Sequence, residues 1–206
     1  MFELTELQHD ALVEIFNIGV GHAARAMSEI VNEPVTMSVP SISFLTRSDA
    51  AAMLGQRERS RVCGVSQHYK GAFSTEAMLM FPEDKSLDIV RMMVGESVPL
   101  KELTEMEQEA MSEIGNIILN SCVGTLANVL SQELSGSLPQ YHVGTSEEIL
   151  GAHGREPDTV VLMLHIDFIL ETHQIHGYVA FILDLTALHD LQAQLDLYLA
   201  KIMGPT

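Results

Sequence analysis

Two stretches of the chain, LVEIFNIGVGHAARAMSEIV from Leu12 and MSEIGNIILNSCVGTLANVL from Met111, each read as an amphipathic helix carrying a Glu-x-x-Asn pair. Glu14 and Glu113, Asn17 and Asn116, and Pro40 and Pro139 all stand 99 positions apart (113 − 14, 116 − 17, 139 − 40). Three identical offsets make an internal duplication the economical explanation. A duplication limits the fold, because the element order of the first half must recur in the second.

The patterning along the chain follows that rule. Helical periodicity covers residues 5–32, EPVTMSVPSISFLT reads as a strand, SDAAAMLG as a short helix, and RVCGVSQHYK with GAFSTEAMLMF as a hairpin before the helix KSLDIVRMMVG. The order restarts with a long helix over 102–133, a strand after Pro139, the short SEEILG, the paired strands TVVLMLHIDFILE and IHGYVAFILD, and a last helix from Thr186 to Ile202. The expected fold is α+β: one pseudo-two-fold domain over 1–206, built of halves 1–100 and 101–206 joined by the connector Val98 to Lys101. Its sheet is mostly antiparallel, and the two long helices carrying the motif lie on one face.

Helix geometry sets which way the pair looks. At about 100° per residue from Asp10, Glu14 falls at about 40°, Asn17 at about 340° and Gly21 at about 20°. Leu12, Phe16, Val20, Ala23 and Met27 gather at roughly 200–280° on the other side. Glu109, Glu113, Asn116 and Asn120 repeat the polar phase, opposite Met111, Ile118, Leu119, Cys122 and Leu126. Both polar stripes are therefore expected to face solvent. Acids and amides on a solvated helix need no function, but recurrence at one phase in two diverged halves asks for one. Gly19, Gly21 and Gly115 lie mid-helix, where glycine costs roughly 1 kcal/mol against alanine; close packing is the expected reason.

Composition narrows the partners. A formal net charge of −17, from 28 acidic and 11 basic residues, disfavours nucleic acid and anionic membranes, both of which would be repelled. Two cysteines, Cys63 and Cys122, and an acidic start without an apolar leader predict a cytoplasmic protein without disulfides. Charge or glycine interrupts every long apolar stretch, so no membrane span is expected. A carboxylate and an amide one turn apart include no nucleophile, but an amide can hold a water by donating one hydrogen bond and accepting another, aligning it for in-line attack on phosphorus. The carboxylate can engage a partner's lysine and fix the register. With no phosphate loop and no metal ligands beside the pair, the reacting group would arrive on a partner.

At these residues the chain resembles the CheC-type phosphatases of chemotaxis, a family that includes CheX and the middle domain of FliY. The family signature is Asp or Ser, three residues, Glu, two residues, Asn, twenty-two residues, Pro, met here by Asp10, Glu14, Asn17 and Pro40. Glu113, Asn116 and Pro139 keep the spacing in the second copy, with Glu109 where the family has Asp or Ser. The resemblance implies hydrolysis of the aspartyl phosphate of a CheY-type response regulator. Asn17 and Asn116 would position the water, Glu14 and Glu113 would engage the regulator's lysine, and Asp10 and Glu109 would lie in the contact with it. Mg²⁺ would belong to the regulator, with none bound by this chain. Two motifs in one chain, with no flagellar-switch domain after Thr206, match the CheC branch, whose members also bind the receptor deamidase CheD. The chain is expected to act as a monomer.

A different class of reading makes the chain a non-catalytic adaptor for CheD or a regulator; a hydrolase of small phosphate esters is a third, disfavoured by the lack of metal ligands and a basic cluster. Other candidates carry less. His173 and His176 in ETHQIHG read as a hairpin turn without a third ligand, and His22 as a surface residue beside the first stripe. Cys63 and Cys122 read as packing residues, as do Met78, Met80, Met92 and Met93.

Overall fold

The computed structural model describes residues 4–57, 61–94, 99–152, 159–170 and 173–203. Helix α1 spans Glu6–Val31 and opens on a capping box in which Thr5 and Gln8 exchange side-chain and backbone hydrogen bonds. It closes on Asn32 in the left-handed region, at φ 56°. Strand β1 (Val35–Leu45), helix α2 (Arg47–Arg57), the hairpin β2 (Val62–Gly71) and β3 (Thr75–Pro82), and helix α3 (Glu83–Val94) complete the first series. The second runs α4 (Leu100–Val129), β4 (Leu134–Gly136), β5 (Gln140–Gly144), α5 (Ser146–Ile149), β6 (Thr159–Leu170), β7 (His173–Asp184) and α6 (Leu185–Met203).

Three expectations need correction. Helix α4 stops at Val129 rather than 133, where Leu130 caps it and Ser131 turns to φ 55°. Beyond that turn Leu134–Gly136 form β4, a three-residue strand with no counterpart in the sequence reading. Lys101 lies inside α4, and Val98 falls outside the described residues. Finally, β7 begins at His173, so His173 and His176 are strand residues and not a turn.

All strands pair antiparallel, in the order β1-β6-β7-β3-β2, and the far side of β2 carries both β4 and β5. The order β1-β6-β7-β3-β2-β5 reads the same from either end once the two series are exchanged. Each series lends a strand to the other: among the described residues β1 pairs with β6 alone, and β5 with β2 alone. Helices α1, α3, α4 and α6 cover one face, over a core that includes Phe16, Val65, Leu79, Ile114, Leu164 and Phe181. Phe16 stacks on Phe181 at 5.2 Å between ring centroids. Burying such a side chain is worth about 1.5–3 kcal/mol. On the opposite face α2 and α5 cover a smaller core around Leu54, Met80, Met163 and Tyr178.

The motif helices lie side by side on the larger face, and two glycines set how closely they approach their neighbours. A Cβ on Gly19 would sit 2.9 Å from the Cα of Cys122 on α4, and one on Gly115 would overlap the Val65 side chain of β2. Packing accounts for both. Gly21 has nothing within 4 Å of such a Cβ, so packing does not account for it.

Candidate functional site

The helical phase places the core as the pattern requires. Leu12, Phe16, Val20, Ala23 and Met27 are buried on α1, and Met111, Ile118, Leu119, Cys122 and Leu126 on α4. Asp10, Glu14, Glu109 and Glu113 are exposed. Asp10 lies 3.6 Å from the imidazole of His9. Glu14 and Glu113 form no hydrogen bond or ion pair among the described residues, so both carboxylates stand free for a cation brought from outside. Asn17 and Asn116 depart from expectation: both are half-buried and hydrogen-bonded within the fold.

Asn17 bridges a helix and a strand. Its Oδ1 accepts from the Val39 N–H at 3.0 Å, and its Nδ2 donates to the Val13 carbonyl at 3.1 Å. A donor on one side and an acceptor on the other fix which way the amide points. The β1–β6 register shifts between Ser38 and Ser41, so Val39 lies in a bulge and its N–H is released toward α1. After these bonds Asn17 keeps one amide hydrogen and one oxygen lone pair.

Asn116 is held by side chains instead. Its Oδ1 accepts from Gln67 Nε2 at 3.2 Å and from Asn120 Nδ2 at 2.7 Å. Gln67, 2% exposed on β2, also donates to the Ser137 carbonyl at 2.9 Å. The Tyr69 hydroxyl lies 2.9 Å from both Gln67 Oε1 and Asn120 Oδ1 and closes the network. Burial pushes the Tyr69 hydroxyl well above the usual phenol range, so it stays a donor. Asn116 thus has both oxygen lone pairs engaged and offers its NH₂ group alone. Gln67 and Tyr69 were not singled out in the sequence. A glutamine in phase with core residues Cys63, Val65 and Tyr69 was the available signal, since a buried amide must find partners.

Beside the second motif lies an open groove of about 690 Å³, lined by Met93 and Val94 of α3, Met106, Glu109 and Glu113 of α4, and Pro139. Apolar and acidic side chains line it together. His22 bonds Thr125 Oγ1 of α4 at 3.2 Å, which gives it a partner inside the fold. Cys63 and Cys122 are buried, and desolvation pushes each thiol up to about 12, so neither is a thiolate at neutral pH. Ser112, between the two motif positions of α4, donates to the Gln108 carbonyl at 2.7 Å. Among the described residues the motif surface therefore shows no activated nucleophile. No group of converging metal-ligating side chains among the described residues includes it. It offers oriented amides and free carboxylates, which can align a water and a cation but cannot supply the electrophile.

The first motif lies within residues 7–44, which match the model of the CheC-like family. The chain is 27% identical over 140 residues to the CheY-P phosphatase CheC of Bacillus subtilis (strain 168), covering 66% of each protein. It is 25% identical over 163 residues to the flagellar motor switch phosphatase FliY of the same organism, covering 78% of this chain and 42% of that one. The chain thus spans about two thirds of the first relative's length and less than half of the second's. Among solved structures, Thermotoga maritima FliY superposes with a TM-score of 0.77 at 18% identity, over 96% of this chain and 100% of that one. The CheX-CheY-BeF3-Mg+2 complex from Borrelia burgdorferi matches with a TM-score of 0.53 at 15% identity, over 84% of this chain and 98% of the matched chain. The Asp10-Glu14-Asn17-Pro40 signature thus lies within a segment similar to the CheC-like family, its Glu, Asn and Pro spacing recurs from α4 onward, and the fold is that of Thermotoga maritima FliY.

Proposed function

We propose that this chain is a phosphatase that hydrolyses the aspartyl phosphate of a CheY-type response regulator. The observation that carries this reading is the recurrence of Glu-x-x-Asn at one phase on two adjacent helices, with each amide orientation fixed by hydrogen bonds. An amide held in place loses little freedom when it captures a water, so the attack geometry is largely set before the partner arrives. Asn17 can donate to the water and accept from it. Asn116 can only donate, which makes the second site the weaker. Glu14 and Glu113, free and one turn earlier, engage the regulator's lysine. The regulator supplies the phosphoryl group and Mg²⁺, and that ion neutralises charge on the transferring phosphoryl oxygens. The two relatives are named CheY-P phosphatases or switch phosphatases, and the CheX complex holds CheY with Mg²⁺, which supports the partner and the ion's location. On the same resemblance we assign CheD as a second partner and a monomeric chain in the cytoplasm.

One observation favours a second reading. Both amides already bond within the fold, as they would in an adaptor that binds a regulator or CheD without turning over phosphate. Phosphate release decides: a phosphorylated CheY-type receiver is timed with and without the chain, in Mg²⁺. Faster loss supports catalysis. Tight binding with an unchanged aspartyl-phosphate lifetime gives the adaptor, and turnover of p-nitrophenyl phosphate without a receiver would overturn both.

A further inference from the structure

We propose that His165, Asp167 and His176 form a binding site for a divalent transition-metal ion of the zinc class, on the sheet face opposite the motif helices. Strands β6 and β7 pair so that Asp167 lies directly across from His176, and His165 across from Tyr178. Residues two apart on a strand share a face, so His165 and Asp167 project together and His176 joins them across the ladder. That face is the one where Met163, Tyr178 and Ala180 form the smaller core.

The geometry suits a metal. One ligand atom from each of the three residues lies within 4.8 Å of the others. Asp167 Oδ1 is 2.7 Å from His176 Nδ1 and 3.9 Å from His165 Nε2, so the carboxylate stands between two imidazoles. Ligands at about 2.0–2.2 Å from a tetrahedral zinc lie about 3.3–3.6 Å from one another, within the range these separations span. A cation would take the place of the His176–Asp167 hydrogen bond, with His176 Nδ1 acting as a ligand and its hydrogen carried on Nε2. Tyr178, 2% exposed, stacks on the His165 ring at 5.3 Å and sets its plane by packing.

Two imidazoles and one carboxylate form a mixed nitrogen and oxygen set, which suits Zn²⁺, Co²⁺ and Ni²⁺ and is a poor match for Mg²⁺ or Ca²⁺. The side chains of His165 and Asp167 are 23% exposed and that of His176 50%, so a fourth position stays open to water or an anion. The bound ion would also clip β6 to β7 and stabilise the sheet where the two strands meet. This departs from the expectation that the chain holds no metal, which found no third ligand for His173 and His176 and placed the ion on the regulator. His165 and Asp167, the two ligands that join His176, come from the adjacent strand.

The untagged full chain, stripped with chelator, is titrated with ZnCl₂ by calorimetry and with CoCl₂ by visible absorption. The expected result is one Zn²⁺ per chain at micromolar or tighter Kd, cobalt d–d absorption, and no competition from millimolar Mg²⁺. Asp167→Asn, which keeps the side chain's size, and His176→Gln should each weaken binding at least about tenfold, whereas His189→Gln on α6 should not. Wild-type binding no tighter than millimolar overturns the proposal, and so does unchanged affinity in both variants. Should a variant misfold, wild-type thermal unfolding still decides: Zn²⁺ raises the Tm where Mg²⁺ does not, and the absence of that rise counts against the site.

Discussion

The side-chain oxygen of Asn17 accepts a hydrogen bond from the backbone N–H of Val39, the residue before Pro40, at 3.0 Å. This contact joins two parts of the signature that lie far apart in sequence. Proline has no N–H to give to a ladder and is tolerated at edges and bulges. It sits here in edge strand β1, inside the register shift that frees Val39 to reach α1. The second site has no matching contact among the described residues: Gln67 bridges Asn116 to Ser137 instead, and Leu138 is 85% exposed. The two copies keep the same Glu, Asn and Pro but hold their amides differently.

Substituting the amides should separate the sites. Asn17→Ala should remove more than half of the stimulated dephosphorylation, Asn116→Ala the smaller share, and the pair nearly all of it. Because Asn17→Ala strips the buried Val39 N–H of its partner, it should also cost about 1–3 kcal/mol, more than an ordinary surface change. Urea unfolding run beside the phosphate assay checks this; a double variant that is folded and as active as wild type would remove these amides from the mechanism.

Gln67 should behave as a positioning residue for the second site. Gln67→Leu, assayed in an Asn17→Ala background, should abolish most of the remaining rate. In the wild-type background it should leave most of the rate intact. Equal losses in both backgrounds would mean that it acts through the fold as a whole.

The glycines make a paired test. Gly115→Ala should destabilise by about 1–3 kcal/mol, because its Cβ overlaps Val65 and α4 must move off β2. Gly21→Ala should stabilise by up to about 1 kcal/mol, since its site is open. Thermal unfolding reads both signs.

Alkali should destabilise the protein before it hydrolyses anything. Burial raises Cys63 and Cys122 to about 12 in the fold, while unfolded thiols titrate at about 8.5. Above about pH 8.5 the unfolded chain binds fewer protons than the folded one, so stability is fully present below that pH and is lost as pH rises toward 12. The slope is about 1.4 kcal/mol per pH unit for each thiol, and Cys122→Ala should flatten it by one thiol's share. Urea midpoints at pH 8 and 10 measure the difference.

Residues 1–100 alone should not give a dispersed NMR spectrum. In isolation β1 loses β6, β3 loses β7, and β2 loses β4 and β5. A well-folded first half would argue for two independent domains rather than the single interleaved one we propose.

The amino-acid sequence by itself determined the element series apart from β4, the antiparallel class of the sheet, and which apolar face of each long helix is buried. These follow from periodicity and from spacing along one chain, and the buried positions from Leu12 to Met27 and from Met111 to Leu126 agree with them. It also singled out Glu14, Asn17, Glu113 and Asn116 as candidates, because a repeat can be counted. Only the tertiary structure decided what holds each amide, since Val39 and Gln67 reach Asn17 and Asn116 across twenty or more residues of chain. Register decided the rest. Whether His176 meets Asp167 depends on how β6 aligns with β7, and the helix end at Val129 depends on β4 finding the edge of β2. Such alignments come from cooperative pairing of distant strands, which local pattern does not encode.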